Sequence, residues 1–222
     1  MRKIFRIIAL VLAMAFVMVG CGTKNTMTSG NKNSAEKEYA YDLNDDFVDE
    51  TGSANHQKVK FTMENGGSFI VELYPEYAPA TVKNFVTLVS EGFYDGLTFH
   101  RVVEDFMAQG GDPQGTGMGG SSKKIKGEFS INGFTQNTLS HTRGVISMAR
   151  SSNSYNSASS QFFICYGDAT FLDGQYAAFG RVIEGMEVVD SFLEVERTMG
   201  NDDAISKPVE PIVIEKAEVL DA

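Results

Sequence analysis

From residue 58 onward the chain reads as an all-β domain. Its apolar residues recur in short runs of period two, and these runs are separated by turn-forming Gly, Asn, Asp and Pro. Only two stretches carry the helical period. Gly (22 residues) and Phe (16) are abundant and Trp is absent, a composition that favours many short strands over long helices. A length of 222 residues suits one ordinary domain with a tail.

Residues 1–20 read as an export signal. Arg2, Lys3 and Arg6 form a basic start, and Ile7 to Val19 is an apolar run of 13 residues. A membrane span needs roughly 20. Met18-Val19-Gly20-Cys21 resembles a bacterial lipoprotein cleavage box, with Met18 where Leu is commonest. Cys21 is then the expected mature N-terminus and site of lipidation, since stable anchoring takes two or more acyl chains. Residues 21–57 are rich in Thr, Ser, Asn, Lys and acids, which bury too little surface to offset their ordering entropy. They are expected to form a flexible tether. The acidic run Asp42 to Glu50 lacks the spacing and Gly of a calcium loop, so solvated linker is preferred to a metal site.

The domain, 58–222, begins with alternating runs Lys58 to Met63 and Ser68 to Tyr74, joined by Glu64-Asn65-Gly66-Gly67 as a hairpin. Ala78 to Glu91 is a helix: Pro79 fits the first turn, Val82, Phe85, Val86 and Val89 form an apolar stripe, and Gly92 is the stop. Thr98 to Val103 is a strand that alternation predicts to carry Phe99, Arg101 and Val103 on one face. Glu104-Asp105 turns the chain into a short extended run sharing Met107 and Gln109 on one face, which ends at Gly110-Gly111-Asp112. Gly144 to Ala149 and Ser160 to Tyr166 are further strands; in the second, Gln161 and Phe163 oppose Phe162 and Ile164. Tyr176 to Val182 is a strand, Gly185 to Leu193 a short helix, Asn201 to Pro211 loop, and Ile212 to Val219 the closing strand.

Several function classes fall away. The net charge of −10, more negative once the basic leader is removed, argues against nucleic-acid binding. Gly115-Thr116-Gly117-Met118-Gly119-Gly120 satisfies G-x-G-x-x-G, but no helix follows and no acidic residue lies about 20 positions on, so a dinucleotide site is rejected. A glycine-rich loop that admits close backbone approach is preferred. Ser147 with His141 lacks the G-x-S-x-G elbow of a hydrolase. Two cysteines make no disulfide framework, and Cys165 reads as a small core residue.

Phe99-His100-Arg101, Phe106 to Asp112, Ser160 to Ile164, Leu172-Asp173-Gly174 and Phe179-Gly180 together resemble the cyclophilin family of peptidyl-prolyl isomerases over roughly Val59 to Val219. The resemblance implies a closed eight-stranded antiparallel barrel capped by two helices. It implies Arg101 as the catalytic arginine, with Gln109 and Phe106 beside it, and Phe106, Met107 and Phe163 as walls of a proline pocket with Leu172 on the rim. Gln161 joins Gln109 as a polar groove residue, Ala149 and Arg150 offer main chain to the substrate, and Gly115 and Thr116 line a neighbouring subsite. This sequence departs from the family pattern in Arg150 for a frequent Asn, in Phe171 for a rim tryptophan and in Tyr176 for a common His. The last two predict weak cyclosporin binding. The loop Ser151 to Ser160 is two residues longer than the eukaryotic pattern.

The expectation is therefore a monomeric, lipid-anchored isomerase acting on proline-containing polypeptides outside the cytoplasm, with no cofactor and no metal. A proline-peptide-binding holdase on the same fold is the alternative. A transporter's solute-binding lipoprotein would need two α/β lobes, for which the chain is too short and too β-rich.

Overall fold

The structure is a computed structural model and describes residues 55–220. The signal segment 1–20, Cys21 and all but the last three residues of the tether lie outside that range.

Eight strands close into an antiparallel barrel in the order β1-β10-β3-β4-β6-β5-β7-β2. The first three are β1 (Lys58–Met63), β2 (Ser68–Leu73) and β3 (Thr98–Val103). They are followed by β4 (Met107–Gly110), β5 (Val145–Met148), β6 (Phe162–Cys165), β7 (Ala178–Glu184) and β10 (Ile212–Leu220). Closure leaves no free sheet edge within the barrel. The β1–β2 hairpin forms where Asn-Gly-Gly predicts it, with Met63 N–H donating to Gly67 O at 2.8 Å. The Leu73 N–H donates to Gln57 O, so the residue just ahead of β1 is held against the end of β2.

Helix α1 (Pro79–Ser90) runs as predicted, ends at Glu91, and is followed by Gly92 in the left-handed region at φ +68°. Its N-terminus has no side-chain cap of its own. Instead the buried Glu128, 48 residues on, accepts from the N–H groups of Ala80 (3.0 Å) and Thr81 (2.8 Å) and from the Thr81 hydroxyl (2.7 Å). The inward stripe delivers Phe85 against Phe61, Phe162 and Phe179 with ring centroids 5.0–6.3 Å apart. The second helix is shorter than expected: α2 (Met186–Ser191) passes into a 3₁₀ turn at Phe192–Glu194. That turn presents Phe192 to Phe99 at 4.8 Å.

Two expectations need correction. The stretch read as loop contains a second sheet, the hairpin β8 (Arg197–Met199) and β9 (Ile205–Pro208), with β9 packed beside β3. Both strands are very short, their facing pair Met199 and Ile205 is 64 % exposed on each side, and the buried residue of β9 is the polar Ser206, so no apolar face imposed an alternation to read. Strict alternation also fails inside β3. A bulge between Phe99 and Arg101 turns Phe99 and Val102 into the barrel while Arg101 and Val103 face outward.

Candidate active site

The outward faces of β3, β4, β6 and β5 carry the site. Register places Arg101 opposite Gln109, Gln109 opposite Phe163, and Phe163 opposite Ser147, so these four residues form one row across four strands. The row beside it pairs Val103 with Met107 and Met107 with Cys165. The apolar part of this surface is a cluster of its own, separate from the barrel interior. It comprises Met107, Phe163, Cys165, Ala169 and Leu172, with Val103, Phe106, Ala149 and Tyr176 packed against them.

Local backbone chemistry aims these groups. Asp105 sits in the left-handed region at φ +59°, which a short polar side chain tolerates, and the resulting turn swings Phe106 over the site. Phe171, 63 % exposed, lies 5.6 Å from Phe106, and Tyr176 meets Phe163 edge-on at 6.0 Å. Phe171 and Tyr176 therefore both stand beside the apolar cluster.

A polar chain runs alongside the apolar patch. Arg101 Nη1 donates to Gln109 Oε1 at 3.4 Å and contacts Met107 Sδ at 3.7 Å, and its guanidinium carbon lies 5.9 Å from the Phe106 ring. Gln109 Nε2 donates to Gln161 Oε1 (2.8 Å), and Gln161 Nε2 donates to the carbonyls of Gly117 (3.0 Å) and Gly119 (2.8 Å). The glycine-rich loop is folded around the buried Asp112 carboxylate, which accepts from the N–H groups of Gln114, Thr116, Gly117 and Gly119 at 2.7–3.2 Å. Burial alone would raise the Asp112 carboxyl, but these four donors hold it below its ordinary value. Gly119 is obligatory here, because a Cβ would fall 2.0 Å from Asp112 Oδ1.

Two cavities flank the row. One, of about 640 Å³, is lined by Gln109, Gln161, Ala149, Arg150 and the glycine-rich loop. The other, of about 330 Å³, lies between Arg101, Gly115, Thr116 and the β8–β9 turn. Gly115 and Thr116 thus line the same cavity as Arg101. The main chains of Ala149 and Arg150 are engaged to different extents. The Ala149 N–H donates to Gln161 O at 2.9 Å and is not available to a ligand, whereas the Arg150 main chain makes no hydrogen bond within the described residues. The Arg150 side chain turns away to Gln175 O at 3.0 Å and lies 4.5 Å from the Tyr176 ring.

Sequence reasoning missed two parts of the site. Asp202, in the β8–β9 turn, accepts from Arg101 Nε at 2.6 Å. A Gly-Asn-Asp-Asp turn between two apolar residues was the available signal for that hairpin. Behind Phe163, His141 stacks on its ring at 6.0 Å and 16°, while its Nδ1 lies 2.8 Å from Asp173 Oδ1 and its Nε2 lies 2.9 Å from Ser147 Oγ. A carboxylate only accepts, so Nδ1 carries the proton and Nε2 accepts from the Ser147 hydroxyl. Ser147 is fully buried, which removes it as a nucleophile despite the triad-like order. Cys165 is likewise buried, and burial pushes its thiol up to about 12.

Comparison with known proteins gives a consistent result. A model of the family described as cyclophilin type peptidyl-prolyl cis-trans isomerase/CLD matches residues 58–219. The peptidyl-prolyl cis-trans isomerase ppi1 of Schizosaccharomyces pombe is 44 % identical over 157 residues, covering 69 % of this chain and 94 % of that protein. Peptidyl-prolyl cis-trans isomerase B of Bacillus subtilis is 43 % identical over 147 residues, 66 % of this chain and 93 % of its own. Among solved structures, a cyclophilin type peptidyl-prolyl cis-trans isomerase from Cryptosporidium parvum, determined in the presence of the dipeptide Ala-Pro, superposes with a TM-score of 0.65 at 31 % identity. It covers 75 % of this chain and 100 % of that one.

Proposed function

This chain belongs to the cyclophilin-type peptidyl-prolyl cis-trans isomerase family and is an isomerase of that type; we propose that it acts on exported polypeptides from a lipid anchor at Cys21, with Arg101 as its catalytic donor. The observation that carries the site assignment is the single row Arg101–Gln109–Phe163, which sets a cation, an amide and an apolar wall side by side on an open face.

The chemistry follows from the imide bond. Rotation about X-Pro removes amide resonance against a barrier of about 18–20 kcal/mol and takes tens to hundreds of seconds unaided. In the half-rotated state the prolyl nitrogen becomes pyramidal and regains a lone pair. A guanidinium N–H directed at that nitrogen forms a hydrogen bond that the planar ground state lacks, and such a differential contact lowers the barrier. Phe106, Met107 and Phe163 hold the ring and exclude water. Gln109 steadies Arg101, and the Arg150 main chain is free to pair with the substrate backbone. No bond is broken, so no nucleophile is called for.

Two measurements test the two halves. Arg101→Ala in the full chain should lower kcat/KM for an X-Pro peptide by about 10²–10³-fold, the scale of one oriented charge-stabilising donor, with the melting temperature little changed. Unaltered turnover, or client binding that ignores Arg101, would point to the holdase alternative. The anchor rests on the basic start, the 13-residue apolar run and Gly20 before Cys21. Mass spectrometry of the cell-derived protein should find an acylated Cys21 as the first residue; an unmodified N-terminus elsewhere refutes it.

A further inference from the structure

We propose that Asp202 is a positioning residue that fixes the Arg101 guanidinium in its catalytic orientation while leaving one of its terminal nitrogens free to donate. This deepens the assignment of Arg101 as donor and rests on it.

Arginine is long and flexible, and a misplaced donor loses most of its effect on a transition state. Something must therefore hold Arg101, which stands on an open face with 29 % of its side chain exposed. Its contacts are unequal. The bond from Nη1 to Gln109 is 3.4 Å and the thioether contact is 3.7 Å, both long. The bond from Nε to Asp202 Oδ2 is 2.6 Å and joins two opposite charges, which makes it the strongest of the three.

Asp202 is itself built in. The hydroxyl of Ser206, which is 1 % exposed, donates to Oδ1 at 2.6 Å, and the Ala204 N–H approaches the same oxygen at 3.4 Å. Gly200 N–H closes the turn on Ala204 O at 2.8 Å, and Asp203 takes the left-handed conformation at φ +58°. Gly200 also makes room for the pair, since a Cβ there would lie 2.3 Å from Ser206 Oγ and 2.6 Å from Asp202 Oδ1. Because β9 packs beside β3, the turn is carried on the same wall as Arg101.

The mode of attachment matters as much as its strength. A carboxylate bridging two guanidinium nitrogens would occupy donors the reaction needs. Asp202 takes only Nε, Gln109 takes Nη1, and Nη2 has no hydrogen-bond partner within the described residues. Two edges of the plane are thus pinned and the third is left open.

The test compares Asp202→Asn, Asp202→Glu and Ser206→Ala with wild type in the full chain, alone and on the Arg101→Ala background. Asp202→Asn should lower kcat about tenfold with KM within about twofold, and shift the Arg101 Nε–H resonance upfield. Asp202→Glu should recover part of kcat, and Ser206→Ala should fall between the two. On the Arg101→Ala background Asp202→Asn should change nothing further. A kcat at or above wild type in Asp202→Asn, a change confined to KM, or an equal loss on both backgrounds overturns the inference. If Arg101→Ala itself is fully active, the underlying assignment of Arg101 fails instead.

Discussion

The strands β3, β4 and β6 carry two apolar assemblies back to back, and they are held in different ways. Inside the barrel, Phe61, Phe85, Phe99, Phe162 and Phe179 touch one another and need no polar partner. Outside, Met107, Phe163 and Leu172 form a small patch framed by polar groups: Arg101, Gln109 and Gln161 beside it, and His141, Ser147 and Asp173 behind it. Phe162 and Phe163 are consecutive residues, 0 % and 4 % exposed, and the period of two sends one to each assembly. A sealed core is defined by volume alone. An open apolar patch would collapse or wander without directional bonds, so its order comes from hydrogen-bonded neighbours.

The most severe test exchanges the two faces. Phe162→Ala should cost about 3–5 kcal/mol of stability, because its ring is surrounded by four others in a core that cannot relax into the gap. At roughly 2–4 °C per kcal/mol the melting temperature falls by about 10 °C, while the protein that remains folded should keep most of its kcat/KM. Phe163→Ala should do the opposite: a smaller loss of stability, with kcat/KM reduced by about tenfold or more as the proposed proline pocket loses a wall. Melting curves and turnover measured on both variants decide the matter. Equal losses of activity in the two would mean that the faces are mechanically one.

The same contrast explains what could be read in advance. The eight barrel strands, both helices and the opposition of Phe162 to Phe163 follow from alternation and turn residues, because each strand turns one face into the barrel core. The relation of Arg101 to Phe99 was misread since a bulge adds a residue without leaving any mark in the hydrophobic pattern. Asp202 was invisible for another reason. It lies 101 residues from Arg101 on a hairpin with no buried apolar face, and a single acid in a polar turn has no period. Ser147 and His141 were weighed together only as a hydrolase pair, and Asp173 was noticed separately in Leu172-Asp173-Gly174. Only closure of β5 onto β6 and β7 brings the segments that carry them behind one ring.

The smallest expected effect concerns the frame behind Phe163. Burial lowers the His141 pKa, and the pull of the Asp173 carboxylate does not offset it, so the folded protein binds this proton less readily than the unfolded chain does. An imidazole whose pKa is depressed on folding contributes its full stability above its ordinary value of about 6.5 and loses it as the pH falls below that. His100, also lowered chiefly by burial, acts in the same direction. Glu128 acts in the opposite one, because burial raises its carboxyl and its ionisation above about pH 4.5 then works against folding. Asp112, Asp173 and Asp202 are held below the ordinary carboxylate value and enter only below about pH 4. The contribution of His141 is therefore best read as a difference. His141→Asn keeps a donor toward Asp173 but cannot titrate, so between pH 7.5 and 5.5 its melting temperature should change less steeply than that of wild type. In wild type alone, KM should also rise across this range, because a charged imidazole under Phe163 disturbs the open face and not the core. Parallel melting curves for the two proteins would show that the polar frame is neutral to protonation and that the patch is held by packing alone.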